Sequence, residues 1–380
     1  MAVVQPAREA TRGRRAAPIA IIGAGPAGIA TARELARRGL PYRLLEQGDS
    51  PAHVWRNLYD SLTLHTGKHM SALPGMPFPA GTSLFPTRSQ FVAYLDAFIE
   101  RFGIRVETGV HVRRAVPASR RLWVLQTSIG DIDASAVVMA TGIVSWPVVP
   151  SFPGQEEFTG RILHSNEYNR PDPFAGKRVL VVGCGNSGAE IASELGNANA
   201  DVTIAIRTGA NVVPLTILGV PIQYIAYGVR KLPPPARKAL VSMVRRVTLM
   251  RQGPPVLPMP PWDPLDRIPL IGFHLVDAIR AGKVRVKPAI RAFQARGVSF
   301  TDGTEGEYDV VILATGYRAA LQPIEGLVRV DKAGFALRKD RVTSADCHDL
   351  YFVGHNYDSA GGLMNIAQDS ILVADILARN

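Results

Sequence analysis

Cysteine is nearly absent. Cys184 and Cys347 are the only two in 380 residues, too few for a disulfide framework and without the C-x-x-C spacing of a redox or zinc pair. A disulfide-stapled secreted scaffold is excluded, and a reducing, cytoplasmic compartment is the expectation. Long apolar runs are missing as well, none reaching the roughly 18 residues of a membrane-spanning helix. There is no G-x-S-x-G and no HExxH. His65 and His69 stand four apart, but Gly67 interrupts a helix between them and no glutamate completes a zinc signature, so no metal is expected. Clusters of Lys, Arg and aromatics are lacking, which argues against a nucleic-acid partner. Acid is in the minority: 32 Asp and Glu against 43 Lys and Arg leave a net charge of +11. That balance suits anionic partners such as phosphorylated cofactors or acidic membranes, and a basic but unremarkable surface would give the same count.

What is present reads as soluble globular protein, with 47% hydrophobic and 20% charged residues. The length suggests two or three domains. Residues 1–16 read as a disordered tail. Arg14-Arg15 before "AAPIAIIGAGPAGIATA" resembles a twin-arginine export signal, but the apolar part, Ile19–Ile22, runs directly into a glycine turn that has its own explanation.

That turn is a nucleotide fingerprint. "PIAIIGAGPAGIATARELARRG" gives a short apolar strand, Gly23-x-Gly25-x-x-Gly28, and a helix ending at Gly39. The first glycine makes the tight turn, the second admits a pyrophosphate, and the third lets helix pack on strand, while the helix N-terminus offers free N–H groups. A second strand, "YRLLE", ends in Glu46, placed to accept from both hydroxyls of an adenosine ribose. The pattern recurs in "KRVLVVGCGNSGAEIASELG", with Gly183, Gly185 and Gly188, followed by the strand "DVTIAIR". At the place of Glu46 stands Arg207, followed by Thr208. A cation and a hydroxyl suit a ribose 2′-phosphate, which an acid would repel. The first site therefore takes FAD or NAD and the second NADP, which makes the chain a flavoprotein reduced by NADPH.

"AVVMATG" (136–142) and "DVVILATGY" (309–317) are apolar strands ending in Ala-Thr-Gly, and mark where the chain crosses between the two nucleotide folds. The tail supplies one more strand, a turn at Gly361-Gly362 and a closing helix, whose N-terminus would stabilise negative charge on a reduced flavin. The expected fold is α/β with two Rossmann-like dinucleotide-binding domains. An FAD domain in two segments, 17–150 and 314–380, encloses an NADP domain, 151–313, with a helical and proline-rich insert at 211–270. Between them "FTGRILHSNEY", Phe158 to Tyr168, has neither strand nor helix periodicity and reads as an irregular connection.

The spacing Phe158-x-Gly160-x-x-x-His164-x-x-x-Tyr168 matches the signature of class B flavin-dependent monooxygenases, and the chain resembles that family over nearly its whole length. The terminal Tyr, where Baeyer–Villiger enzymes usually carry Trp, places it nearer the flavin-containing monooxygenases. "SPAHVWRNLYDSLTLHTGKHMSALPGMPFP", "FPTRSQFVAYLDAF" and "GKRVLVVGCGNSGAEIASEL" resemble the plant YUCCA group and its bacterial relatives. Two departures stand out. Ala52-His53 replaces the frequent Gly-Gly before Val54 and the flavin-contacting Trp55. Leu64-His65-Thr66-Gly67-Lys68 replaces the Ser-Asn pair of many members, so that His65, Thr66 or water stands in for the active-site Asn.

The resemblance implies that NADPH reduces FAD, O2 adds at the flavin C4a, and the resulting (hydro)peroxide inserts one oxygen atom into a small organic substrate. That substrate is a soft N or S nucleophile, or a carbonyl or α-keto acid as in YUCCA-type oxidative decarboxylation. Baeyer–Villiger oxygenation, a non-oxygenating NADPH:acceptor reductase and a membrane-associated redox flavoprotein are the rivals. The expected catalytic residues are His65, Thr66, His164 and Tyr168, the last two latching the domains over the nicotinamide. The alternative for His164 is a linker histidine without a chemical role. The expected flavin contacts are Gly23, Gly25, Pro26, Ala27, Gly28, Glu46, Gln47, Val54, Trp55, Thr141, Gly142, Gly361, Gly362 and Leu363. NADP(H) contacts are expected at Gly183, Gly185, Asn186, Ser187, Gly188, Arg207 and Thr208, with Ala314, Thr315, Gly316 and Tyr317 at the return crossing. Cys184, inside the glycine turn, is expected to pack rather than react. Segment 221–251 mixes apolar residues with Arg230, Lys231, Arg237, Lys238, Arg245, Arg246 and Arg251. A basic amphipathic stretch of this kind roofs a substrate channel or makes peripheral membrane contact, although an ordinary exposed helix shares the pattern. Oligomeric state has no signal in the sequence.

Overall fold

The structure is a computed structural model that describes residues 17–379 apart from 230–231, 238, 240–241, 244–245, 247–252, 263–267, 357 and 359–360. The tail expected at 1–16 and the cations Arg230, Lys231, Lys238, Arg245 and Arg251 lie outside the described residues.

The chain opens with β1 (Ile19–Ile22), α1 (Pro26–Arg37) and β2 (Tyr42–Leu45). It continues through α2 (His53–Arg56), α3 (Lys68–Ser71) and α4 (Arg88–Phe102) to the strands β3 (Val112–Ser119), β4 (Leu122–Thr127), β5 (Gly130–Ala134) and β6 (Ala136–Met139). A short crossing strand, β7 (Trp146–Pro147), leads to β8 (Arg161–His164), β9 (Arg178–Val182), α5 (Asn186–Asn197) and β10 (Asp201–Ala205). Then come β11 (Val212–Val213), β12 (Thr216–Ile217), β13 (Val220–Pro221), α6 (Ile222–Val229), β14 (Leu270–Ile271), α7 (His274–Arg280) and β15 (Val284–Lys287). The meander β16 (Ile290–Gln294), β17 (Gly297–Phe300), β18 (Glu305–Glu307) precedes β19 (Val310–Leu313). The chain returns through β20 (Tyr317–Arg318) to β21 (Leu350–Phe352) and α8 (Gly362–Arg379).

Two parallel sheets organise these elements, in the orders β2-β1-β6-β21 and β15-β10-β9-β19-β8. Their central strands are unbroken apolar runs, "IAII", "AVVM", "VVIL", buried at every position, because a parallel sheet is covered on both faces. Alternate residues of the first sheet face opposite ways. Ile19, Ile21, Ala136 and Val138 pack under α1, α4 and α8, while Ala20, Ile22, Val137 and Met139 pack on the meander β3–β5 around Trp123 and Leu125. The second sheet repeats this plan. Val179, Val181, Val202 and Ile204 lie under α5 and α7, and Leu180, Val182 and Val311 lie on the meander β16–β18 around Phe293 and Phe300. Each half is thus helices, parallel sheet and antiparallel meander.

α4 begins at a capping box in which Thr87 accepts from the Gln90 N–H and the Gln90 side chain accepts from the Thr87 N–H. It ends at Gly103, whose φ of 58° is left-handed. Its buried face, Phe91, Tyr94, Leu95 and Phe98, contributes about 1.5–3 kcal/mol per fully buried side chain.

One expectation about local structure is corrected. Residues 161–164 of the segment read as irregular form a strand, paired in parallel with β19 at the edge of the second sheet, Leu163 beside Ile312 and His164 beside Leu313. β8 is a short edge strand, exposed at Arg161 and buried at Leu163 and His164, and four residues in that order carry no polar–apolar alternation for the period-2 test to detect.

The two crossings lie against each other. β7 and β20 pair antiparallel, the Val148 N–H donates to the Gly316 carbonyl at 2.9 Å, and the Ala320 N–H donates to the Gly142 carbonyl at 3.1 Å. Among the described residues no helix is long and apolar enough to cross a membrane.

Candidate functional site

The two glycine turns are built alike. Gly23 and Gly183 have φ of +100° and +106°, and a Cβ on either would strike the carbonyl oxygen of Ala140 (2.7 Å) or Ala314 (2.5 Å). The alanines of the two Ala-Thr-Gly segments are therefore the walls against which the fingerprints close. At Gly28 and Gly188 a Cβ would fall 1.9 and 2.1 Å from the carbonyl oxygens of Gly23 and Gly183, so only glycine lets helix approach strand. At Gly25 and Gly185 a Cβ would meet no protein atom within 4 Å. Close approach is enforced at the third glycine and free space is left at the second, as a pyrophosphate over a helix N-terminus requires. Both turns fit a dinucleotide.

A cavity of about 1570 Å³ runs from the first turn to α6. Gly23, Gly25, Pro26, Ala27, Glu46, Gln47, Val54, Trp55, His65, Thr66, Thr141, Gly142, Asn186, Gly361, Gly362 and Leu363 all line it. Gly28, Gly183, Gly185, Ser187, Gly188, Arg207, Thr208 and residues 314–317 do not. Glu46 is buried, and its carboxylate accepts from the N–H groups of Ala24 (2.8 Å) and Gly48 (2.9 Å). Trp55, which lines the cavity, meets the Phe91 ring edge-on at 4.5 Å. Ala52 adopts a left-handed conformation (φ 55°), the backbone that favours the glycine it replaces. Arg207 and Thr208 are exposed just past β10. Asn186 is tied to the segment before α7: its Oδ1 accepts from the Ile271 N–H and its Nδ2 donates to the Pro269 carbonyl. Cys184 is partly buried, and burial pushes its thiol up to about 11, so it remains a thiol at neutral pH. Among the described residues no group of three or more His, Cys, Asp or Glu is arranged to hold a metal ion.

His164 and Tyr168 sit apart from this cavity. Tyr168 is fully buried in the core of the second half, where its hydroxyl donates to Glu194 of α5 at 2.7 Å. His164, also buried, has Nε2 3.2 Å from the Gly316 carbonyl and stands edge-on to Tyr317. It therefore holds the return crossing directly after "LATG". Neither side chain lines the cavity, and the contacts of both lie within the second half and at its hinge.

A family model described as flavin-binding monooxygenase-like matches residues 16–343. This chain belongs to that family. Flavin-binding monooxygenase-like proteins similar to it include indole-3-pyruvate monooxygenase YUCCA1 of Oryza sativa subsp. japonica, 37% identical over 309 residues, covering 79% of this chain and 76% of that one. Indole-3-pyruvate monooxygenase YUCCA4 of the same plant is 35% identical over 390 residues, covering 94% and 87%. Among solved structures, the flavin-containing monooxygenase from Stenotrophomonas maltophilia superposes with a TM-score of 0.75 at 25% identity, covering 96% and 98%. Cyclohexanone monooxygenase from Rhodococcus sp. Phi1, bound to NADP+, shares the fold at 20% identity, with a TM-score of 0.73 and coverage of 96% and 84%.

As a flavin-binding monooxygenase-like enzyme the chain uses FAD and NADP(H), for which its two glycine turns leave room, with O2 and a small molecule as its other reactants. The flavin-side lining residues come from β1–α1, the end of β2, α2, the segment after it and the start of α8. The opposite wall comes from α6, β11 and the segment before α7.

Four further residues of this site carry no motif of their own. Glu190 of α5 reaches across to the flavin half, where its carboxylate takes the Tyr59 hydroxyl on Oε2 and His65 Nε2 on Oε1. His274, on α7, approaches the same carboxylate. Burial works against ionisation of Glu190, but His65, Tyr59 and His274 hold its carboxyl below the usual range. Burial pushes His274 down, with Glu190 opposing. Arg237 lines the α6 end of the cavity. Its signal, one cation within a basic run, cannot be separated by sequence from the neighbouring charges.

Proposed function

We propose that the chain is an NADPH-dependent FAD monooxygenase that oxidatively decarboxylates a 2-oxo acid with a bulky apolar or aromatic side chain. The balance is 2-oxo acid, O2, NADPH and a proton giving the carboxylic acid one carbon shorter, CO2, NADP+ and water. The observation that carries this reading is Arg237. The α6 end of the cavity is walled largely by apolar side chains, including Ile222, Ile225, Ala226, Val229, Val212 and Ile271. Into it come Arg237, whose Nε is buried without a hydrogen-bond partner, and the buried Gln223, whose Oε1 is likewise unpartnered. A buried guanidinium N–H without an acceptor is costly unless a ligand supplies one, and a carboxylate is the acceptor whose geometry a guanidinium matches. The plant relatives are named for indole-3-pyruvate, an aryl-substituted 2-oxo acid that agrees with this end of the cavity in charge and shape.

Within this reading the protein's part is positional. Arg237 holds the carboxylate and the α6 wall takes the apolar side chain. The remaining wall keeps water from the flavin face, and the bound flavin supplies the oxidising chemistry. A product screen over 2-oxo acids, amines, thioethers and ketones tests it, with NADPH use, CO2 and product measured together. Arg237→Ala should reduce kcat/KM for the 2-oxo acid roughly ten- to a hundred-fold, the value of a charge-assisted contact of about 1.5–3 kcal/mol. The rate of flavin reduction by NADPH should stay unchanged. Turnover of amines or thioethers with no attack on 2-oxo acids would overturn the substrate. An equal loss in NADPH affinity would reassign Arg237 to the nucleotide.

A further inference from the structure

The contact between Glu190 and His65 joins the two halves of the molecule at the cavity itself. Glu190 stands in the first turn and a half of α5, directly after the second fingerprint. Both of its partners, Tyr59 and His65, come from the flavin half, and they occupy one carboxylate oxygen each. The side chain of Glu190 is 19% exposed and that of His65 25%, so the pair is largely withdrawn from water. The groups facing the carboxylate are Tyr59, His65 and His274. Ser187 and Tyr317 stand next to Tyr59, and Asp277 next to His274.

An ionised carboxylate accepts hydrogen bonds and cannot donate them. The ring nitrogen of His65 that faces Glu190 must therefore carry the proton, and a neutral His65 is the Nε2–H tautomer. Nδ1 is then left as the lone-pair nitrogen. Among the described residues it has no hydrogen-bond partner, and His65 lines the cavity. Tyr59 fills the second oxygen, which fixes the carboxylate in rotation as well as in place.

We infer that Glu190 is a positioning residue for His65: from the nucleotide half it fixes Nε2–H and leaves Nδ1 as the proton acceptor of the cavity. A proton taken up at Nδ1 makes an imidazolium whose charge Glu190 balances, and the same proton can be returned from that atom later in turnover. Because the two residues sit on opposite halves, this acceptor is assembled only when the halves are docked. The inference rests on the cavity described above and not on the identity of the substrate.

The first test needs no turnover. 15N-histidine spectra of the purified, FAD-loaded full-length protein at about pH 8.5, above the usual imidazole range, report which ring nitrogen is protonated. His65 should be the Nε2–H tautomer in the parent and in Tyr59→Phe, and should lose that preference in Glu190→Ala. The second test is a double-mutant cycle on NADPH oxidation in air-saturated buffer, followed against pH. Glu190→Gln and His65→Ala should each remove the same limb of the pH profile and slow the reaction by a similar factor, about tenfold or more. The double variant should be no slower than His65→Ala alone. Flavin content and the thermal midpoint, measured for every variant, identify any that fail to fold, and Glu190→Gln keeps the size of the side chain. An Nδ1–H tautomer in the parent would overturn the inference, as would a full Glu190→Gln effect in the His65→Ala background.

Discussion

The hydroxyl of Thr141 donates a 2.6 Å hydrogen bond to the carbonyl of Ala320, 179 residues further along the chain. Its counterpart Thr315, in the second Ala-Thr-Gly segment, donates at 2.5 Å to the carbonyl of Val148 on the first crossing. Each threonine thus secures the opposite crossing strand, and together they hold the β7–β20 ribbon at both ends. Thr141→Val and Thr315→Val should each cost about 0.5–1.5 kcal/mol. Both threonines are polar groups of the hinge between the halves, so the double variant should also waste NADPH, with a larger share recovered as hydrogen peroxide. Unchanged coupling in a variant with a lowered thermal midpoint would make the pair a stability device only.

Arg207 and Thr208, exposed past β10, should select the phosphorylated nicotinamide cofactor. Arg207→Ala should lower kcat/KM for NADPH roughly ten- to a hundred-fold and leave NADH nearly unaffected, since one charge-assisted contact contributes about 1.5–3 kcal/mol. Stopped-flow reduction with each cofactor measures this. Equal losses for both would remove the 2′-phosphate role.

His164→Ala should leave flavin binding and reduction by NADPH intact, because the side chain does not line the cavity. It removes the contacts with the Gly316 carbonyl and the Tyr317 ring, so the hinge loosens. The expected fault is a higher peroxide yield per NADPH, read by oxygen and peroxide electrodes. A variant that couples as well as the parent would leave His164 as a packing residue.

His355 gives a pH prediction. It is fully buried, neither ring nitrogen has a hydrogen-bond partner, and burial, aided by the charge of Arg338, pushes its pKa down to about 3. The unfolded chain takes up this proton near pH 6.5 and the folded chain refuses it until about 3. Stability is therefore at its full value above pH 6.5 and falls as pH drops through that window, by up to about 1.4 kcal/mol per unit. Urea unfolding of the parent and His355→Leu from pH 7 to 4 checks this: the variant should depend on pH more weakly by one proton. Parallel slopes would mean that His355 is protonated in the folded protein.

Much of the fold was legible because its signals are local. Glycine turns, buried apolar runs and the Ala-Thr-Gly ends each state their conformation within a few residues, and the repeat of the pattern revealed two nucleotide folds. The strand at 161–164 was missed because an edge strand of four residues, exposed at Arg161 and buried at Leu163 and His164, shows no alternation. The cavity lining near the first fingerprint could be anticipated, since Glu46 and Trp55 follow that turn at short range. Glu190 could not: its partners lie 131 and 125 residues before it, and nothing next to it in the chain announces them. Tyr168 is the converse case: the motif residue is conspicuous in the sequence, but its hydrogen bond to Glu194, 26 residues later, is announced by nothing near it. The Ala52-His53 departure also has a local account, because the left-handed backbone at Ala52 still follows the glycine conformation.

The strand order of the first sheet bears on how the chain acquires its shape. β1, β2 and β6 are made within the first 139 residues, but their remaining neighbour β21 and the helix α8 that packs on α1 are made more than 200 residues later. All five strands of the second sheet lie inside that interval. During synthesis at 5–20 residues per second, the nucleotide half can close while the flavin half waits, on the order of ten to forty seconds, with one sheet edge and the α1 face uncovered. Flavin should therefore bind only to chains that carry α8, and nascent chains halted near residue 330 should show a protease-resistant 150–315 core alongside a cleavable first segment.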